Sequence, residues 1–297
     1  MTDRRLYDRG TATAVACWEH FARATEGAGV IHAPGVAAAV FPSGPERTIY
    51  NNAVLERDLE SAERAAAIAA MEDAYAAAGV GGFAAWVHET DIALIEELER
   101  RGYRCAEATR AMGMWLEEVA VAVPEIHVGR PTWPEYQEFL ELVGVPAGLL
   151  PYVDATALEV SMARLRGRNV ATALSFDHDG DCGIFNVSTL HWARRRGLDT
   201  ALTALQLHAA KRRGCTTASL QSTAMAEGVY AALGFEDLGT IREYVRSPGL
   251  SGGPAQRSSA GSTSTSTASS RRAPGPRRNH GRRRRSVEHA AARQAPA

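Results

Sequence analysis

The second half of the chain runs in two rhythms. From residue 157 to 190 the apolar positions follow strand patterns. Residues 157–165 and 169–176 read as two strands, and Asp177-His178-Asp179-Gly180-Asp181 between them and the next is a polar turn with an Asp-Gly hairpin signal. Residues 183–190 return as a third strand, with Ile184, Phe185 and Val187 supplying the apolar and β-branched character. The period then lengthens. Leu198, Leu202, Leu205 and Ala209 recur every three or four residues, which predicts a helix over Leu198–Arg213 with Gly214 as its C-terminal cap. A short strand at 216–220, a helix at 224–233 stopped by Gly234, and terminal strands at 235–238 and 241–246 complete the pattern. Strands outnumber helices and the hairpins are antiparallel, so the expected class is α+β with a mixed, mostly antiparallel sheet flanked by helices.

The first half repeats this pattern. Leu94-Ile95-Glu96-Glu97-Leu98-Glu99-Arg100-Arg101-Gly102-Tyr103 matches the run that ends Val229-Tyr230-Ala231-Ala232-Leu233-Gly234-Phe235 when Gly102 is set on Gly234, an offset of 132. The same offset lays the apolar run 83–87 on 215–219 and the helical stretch 61–78 on 193–210. Three elements agree without a gap, which predicts a tandem duplication: one domain over 1–120, a second over 121–247, and a tail over 248–297.

Composition sharpens the boundary at the tail. Of the 297 residues 45% are apolar, enough for a real core, and the formal net charge is −1. Residues 251–297 hold ten arginines and one glutamate, a charge of +9, which leaves −10 on residues 1–250. That tail has no aromatic residue, and Val287 is its sole large aliphatic one, so burial cannot offset its ordering entropy and it is expected to be disordered. It is also the one segment with the charge to hold nucleic acid, although a solvated appendage has the same composition. No apolar run of about 18 residues is present, and the alanine-rich stretch 62–78 is broken by Glu63, Arg64, Glu72 and Asp73, which excludes a helical membrane span. Met1-Thr2-Asp3-Arg4-Arg5 leads into no signal-type apolar core. Cys17, Cys105, Cys182 and Cys215 form neither a C-x-x-C pair nor a Cys/His metal cluster, so no metal is expected and a reducing, cytoplasmic location is.

The chemistry concentrates in Thr189-Leu190-His191-Trp192-Ala193-Arg194-Arg195-Arg196-Gly197-Leu198-Asp199-Thr200. A strand, a basic turn with glycine and a long helix follow in order, which makes an anion site: free N–H groups and the helix dipole point at one spot. This stretch resembles the pyrophosphate loop of the GNAT superfamily of N-acyltransferases, Arg/Gln-x-x-Gly-x-Gly/Ala. Arg194 and Gly197 match it, and Asp199 stands where the family has Gly or Ala. The family's later element, Asn-x-x-Ala-x-x-Leu-Tyr-x-x-x-Gly-Phe, is met by Ala226, Val229, Tyr230, Gly234 and Phe235, with Thr223 in place of Asn. The resemblance covers residues 125–246 and, more weakly, the first half.

The resemblance implies acetyl-CoA or a related acyl-CoA as co-substrate and a small-molecule or peptide amine as acceptor. Backbone groups of Val187 and Thr189 would hold the pantetheine arm and polarise the thioester. Arg194, Arg195, Arg196, Gly197, Leu198, Asp199 and Thr200 would take the pyrophosphate, and Tyr230 would protonate the departing thiolate. Each residue has a plainer alternative: Asp199 as a first-turn charge on the helix dipole, Tyr230 as a core aromatic, His191 as a surface histidine. Glu159 and Glu227 are weak candidates for a base. The offset puts Arg195-Arg196-Gly197 on Glu63-Arg64-Ala65 and Tyr230 on Leu98, so the first domain is expected to be a degenerate copy that does not bind CoA. The rival reading is an inactive ligand-binding or scaffolding protein that kept the fold. The sequence leaves the oligomeric state open.

Overall fold

The computed structural model describes residues 3–43, 50–119, 121–122, 126–145 and 152–246. The expected tail lies outside them. In the first half, α1 (Arg4–Ala22) precedes β1 (Gly29–Ala33), β2 (Val36–Val40) and β3 (Asn52–Leu55). Then come α2 (Ser61–Ala77), β4 (Ala84–His88), α3 (Ile92–Arg100) and the long β5 (Tyr103–Trp115). Apart from one short leading strand, the second half follows the same order. It runs through β6 (Val128–Gly129), α4 (Trp133–Leu142), β7 (Leu158–Leu165), β8 (Arg168–His178) and β9 (Asp181–Thr189). After these come α5 (Leu198–Arg213), β10 (Thr217–Ser222), α6 (Glu227–Ala232) and β11 (Glu236–Arg246). The duplication read from three elements thus extends to the order of the rest.

All the strands join one mixed, mostly antiparallel sheet in the order β1-β2-β3-β4-β11-β5-β10-β9-β8-β7-β6. The last strands of the halves are exchanged. β11 lies beside β4 of the first half, with Ile241 opposite His88, and β5 lies beside β10 of the second, with Thr217 opposite Trp115. β5 and β11 then pair with each other and join the halves into one sheet. The two terminal strands expected at 235–238 and 241–246 are one strand with a register break between Asp237 and Thr240, where Gly239 takes a φ of 102°.

Side-chain alternation separates the two faces. On one face, Leu6, Tyr7 and Trp18 of α1 and Tyr136, Phe139 and Leu140 of α4 pack on Trp86, Leu158, Val160, Met162 and Leu174. On the other, α2 and α3 cover Ala85 and Val87, while α5 and α6 cover Met112, Met114, Ile184 and Leu220. Small residues let α1 lie close to the middle of the sheet. A Cβ on Gly10 would come within 2.7 Å of the Ser219 Cβ, and one on Gly183 within 2.8 Å of the Thr13 methyl.

Candidate functional site

β9 is the strand on which the site is built. It starts beside β10 in parallel, Thr217 opposite Asp181 and Ser219 opposite Gly183, and the pairing stops there. Asp181 fixes the closed end of the resulting notch. Its carboxylate is buried, 2% exposed, and accepts hydroxyls from Thr13 (2.8 Å), Thr217 (2.7 Å) and Ser219 (2.6 Å), so it ties α1, β9 and β10 together. A buried carboxylate without donors would be costly, and three hydroxyls answer that. Beyond the notch β9 carries a bulge against β8. Asn186, with a φ of 51°, breaks the register, and its amide donates to the Tyr136 hydroxyl at 3.1 Å.

The bulge turns the end of β9 toward the gap. Leu190 N–H donates to Val170 O on β8, so by strand alternation the N–H groups of Val187 and Thr189 point to the other edge, where β10 has parted from β9. One turn of 3-10 helix at His191–Ala193 follows, and then the loop. Arg195 (φ 60°) and Gly197 (φ 70°) both take the left-handed conformation, which is ordinary for the glycine and strained for the arginine. Gly197 is the N-cap of α5, and no side chain caps the helix. The helix therefore presents its first N–H groups, and Arg195 and Arg196 stand exposed beside them.

The remaining sequence candidates fall around this start. Arg194 is half-buried and donates to Thr189 O (3.2 Å), so it braces the loop. Leu198 is buried in the core and Thr200 is half-buried in the first turn. Asp199 does not cap the helix; its carboxylate accepts the Thr189 hydroxyl and so links the end of β9 to the start of α5. Tyr230 is buried in the core with Phe235 at its edge, ring centroids 6.0 Å apart. Burial, and secondarily the charge of Asp199, push its phenol well above the ordinary value. His191 and Trp192 are exposed. Glu159 pairs with Arg130 (3.3 Å) on the strand two places beyond β9, and Glu227 sits 3.7 Å from Arg110, so neither faces the notch alone. Among the described residues no cluster of His, Cys, Asp or Glu could hold a metal ion, and no helix is long and apolar enough to cross a membrane.

The first half lacks this geometry. β3 stays paired with β4 to Val54 opposite Trp86 and ends one residue later, and residues 56–60 alone lead into α2. The start of α2 is occupied by its own acids: Glu63 accepts the Glu60 N–H at 3.2 Å.

Sequence reading missed three parts of the site. α1 was unread, although Leu6, Gly10, Ala14 and Trp18 recur at helical spacing. The bulge at Asn186 and the role of Asp181 depend on partners far along the chain.

No family model matches the sequence, and no curated protein does either. The fold has clear counterparts among solved structures. A GCN5-related N-acetyltransferase from Kribbella flavida superposes with a TM-score of 0.61 at 22% identity, over 81% of this chain and 96% of that one. A tandem GNAT protein from the clavulanic acid biosynthesis pathway follows the chain over 84% of its length and 97% of its own, at 14% identity and a TM-score of 0.54. A GCN5-related N-acetyltransferase from Sphaerobacter thermophilus gives 0.50 at 15% identity, over 74% and 82%. The chain has the GNAT fold. It has it in the tandem form, two copies in one polypeptide.

Proposed function

We propose that the chain is an N-acyltransferase that binds acetyl-CoA in its second half and transfers the acyl group to a primary amine in a ternary complex. The observation that carries this reading is the uncapped, glycine-started N-terminus of α5 beside a strand whose outward N–H groups face an open gap. The pyrophosphate would meet the N–H groups of Leu198, Asp199 and Thr200, with Arg195 and Arg196 adding charge. The pantetheine arm would extend β9 on its free edge through Val187 and Thr189, and those donors would polarise the thioester carbonyl. Tyr230, kept protonated by its surroundings, would donate to the departing sulfur. The first half would bind no CoA, because its strand does not part and its helix start holds Glu60 and Glu63.

Calorimetry of the full chain with acetyl-CoA tests the reading. One site per chain is expected, and Gly197→Val, which forces a branched side chain into the left-handed start of α5, should weaken it at least about 10-fold. Two sites would show the first half to be competent. No binding would favour the inactive scaffold.

A further inference from the structure

On the face of the sheet opposite α5, a cavity of about 40 Å³ lies under α1. It reaches from β3 across the centre of the sheet to Phe185 and Gln221, the residues on either side of the gap where β9 and β10 have parted. Its wall is mostly apolar and aromatic: Leu6, Tyr7, Trp18, Trp86, Phe185 and Ile241 dominate it, and no acid, lysine or arginine contributes. One wall group is left wanting. Trp86 is 3% exposed, and its indole N–H has no acceptor among the described residues. An indole N–H buried this far normally has a partner, so the wall offers one unused donor, beside the side chains of Tyr7, Thr11, Ser219 and Gln221 as its other polar groups. Tyr7, Thr11 and Val54 are shared with a larger groove between α1 and the strands β1–β3, about 560 Å³, which carries Asp8, Glu19, Glu56, Arg4 and Arg57 and gives access from solvent.

We propose that this cavity is the acceptor end of the site and takes a small monoamine with an uncharged apolar body and one oxygen acceptor for the Trp86 indole N–H. The inference rests on the acyl transfer proposed above. The cavity and the uncapped α5 lie on opposite faces, and the notch is where they meet, so an amine held under α1 reaches the thioester through it. The free-base nitrogen attacks the thioester carbonyl, a C–N bond forms, the C–S bond breaks, Tyr230 protonates the CoA thiolate, and the proton the nitrogen gives up restores the phenol. The neutral wall favours the neutral, nucleophilic amine and excludes a body that carries a second charge. The acidic surface of residues 1–250 would have suggested a polycationic acceptor; the cavity wall argues against it.

Three amines separate the possibilities: pentylamine, 3-methoxypropylamine, which has the same chain length with an ether oxygen in it, and 1,5-diaminopentane, which adds a second amine to the end of pentylamine. With the full chain and acetyl-CoA, thiol release should rank 3-methoxypropylamine first, with diaminopentane at least about 100-fold lower in kcat/KM, the scale of burying an unpaired charge. Trp86→Phe should remove the preference for the ether, about 2- to 10-fold, the worth of one hydrogen bond. Ala14→Leu, which fills the cavity from α1, should raise KM for both monoamines at least about 10-fold and leave calorimetric acetyl-CoA affinity unchanged. Binding is read independently on protein labelled with ¹⁵N-tryptophan. 3-Methoxypropylamine should move the indole resonance that Trp86→Phe deletes, with or without acetyl-CoA. If that resonance moves but acetyl-CoA does not bind, the cavity stands and the acyl transfer falls. If it does not move, or if diaminopentane is the better acceptor, the cavity is not the acceptor site.

Discussion

Asp199 is where this chain departs from the GNAT loop, and its surroundings give the departure a physical content. The carboxylate is held by the Thr189 hydroxyl, so it binds the strand end rather than the helix N–H groups, yet its charge remains beside the proposed pyrophosphate site and near Tyr230. Asp199→Asn keeps the shape and removes the charge. Acetyl-CoA should bind about 2- to 10-fold more tightly, a modest gain because the loop is exposed and screened. Unchanged affinity would mean that the charge is not felt at the pyrophosphate site. Tyr230→Phe should lower turnover by about 100-fold or more with little change in melting temperature. An unchanged rate with any accepted amine would leave Tyr230 a packing residue. The loop residues were legible because they are consecutive. Trp86, Asp181 and Asn186 were not, because each acquires its role from a side chain or strand brought to it from elsewhere.

Among elements, α5 is anchored at both ends. Its start is tied to β9 through Asp199 and Thr189, and its last turn through Arg213, which donates to both oxygens of Asp177 on β8 at 2.6 and 2.7 Å. Burial raises the Asp177 pKa, but the bonds and charge of Arg213 outweigh it, and the carboxyl titrates below its ordinary value. A depressed carboxyl stabilises the fold above its unfolded value, near 3.9, and that contribution is lost as pH falls through the folded one. Asp177→Asn should therefore cost about 1–2 kcal/mol near neutral pH, and the gap in denaturant midpoints should close below about pH 3.9. A gap that persists in acid would assign the loss to packing. The helices and strands of residues 157–246 were readable from their periods, and the tandem copy from a single offset, whereas α4 went unread. The exchange of β5 and β11 was invisible to both, because a duplicated strand fits either edge equally well and the repeat pattern is the same whichever partner it takes.

For the whole molecule, the exchange decides what can be cut apart. Residues 1–119 alone would leave β4 without β11 and β5 without either neighbour, and residues 121–246 alone would leave β10 without β5. Each piece is expected to be aggregation-prone by itself, and the two expressed together to copurify and recover acetyl-CoA binding. A monomeric, cooperatively melting first half would show that β5 can fold back onto β4, which the repeat makes conceivable.

The same arrangement governs how the protein emerges from the ribosome. Ile241 closes onto His88, 153 residues earlier in the chain, so the sheet cannot be completed until nearly all of the described body has been synthesised. At roughly 5–20 residues per second, the edge of β4 waits on the order of 10–30 s for its partner. During that interval the first half is a nascent chain with an open sheet edge, and the protein's hazard lies in translation rather than in the finished fold.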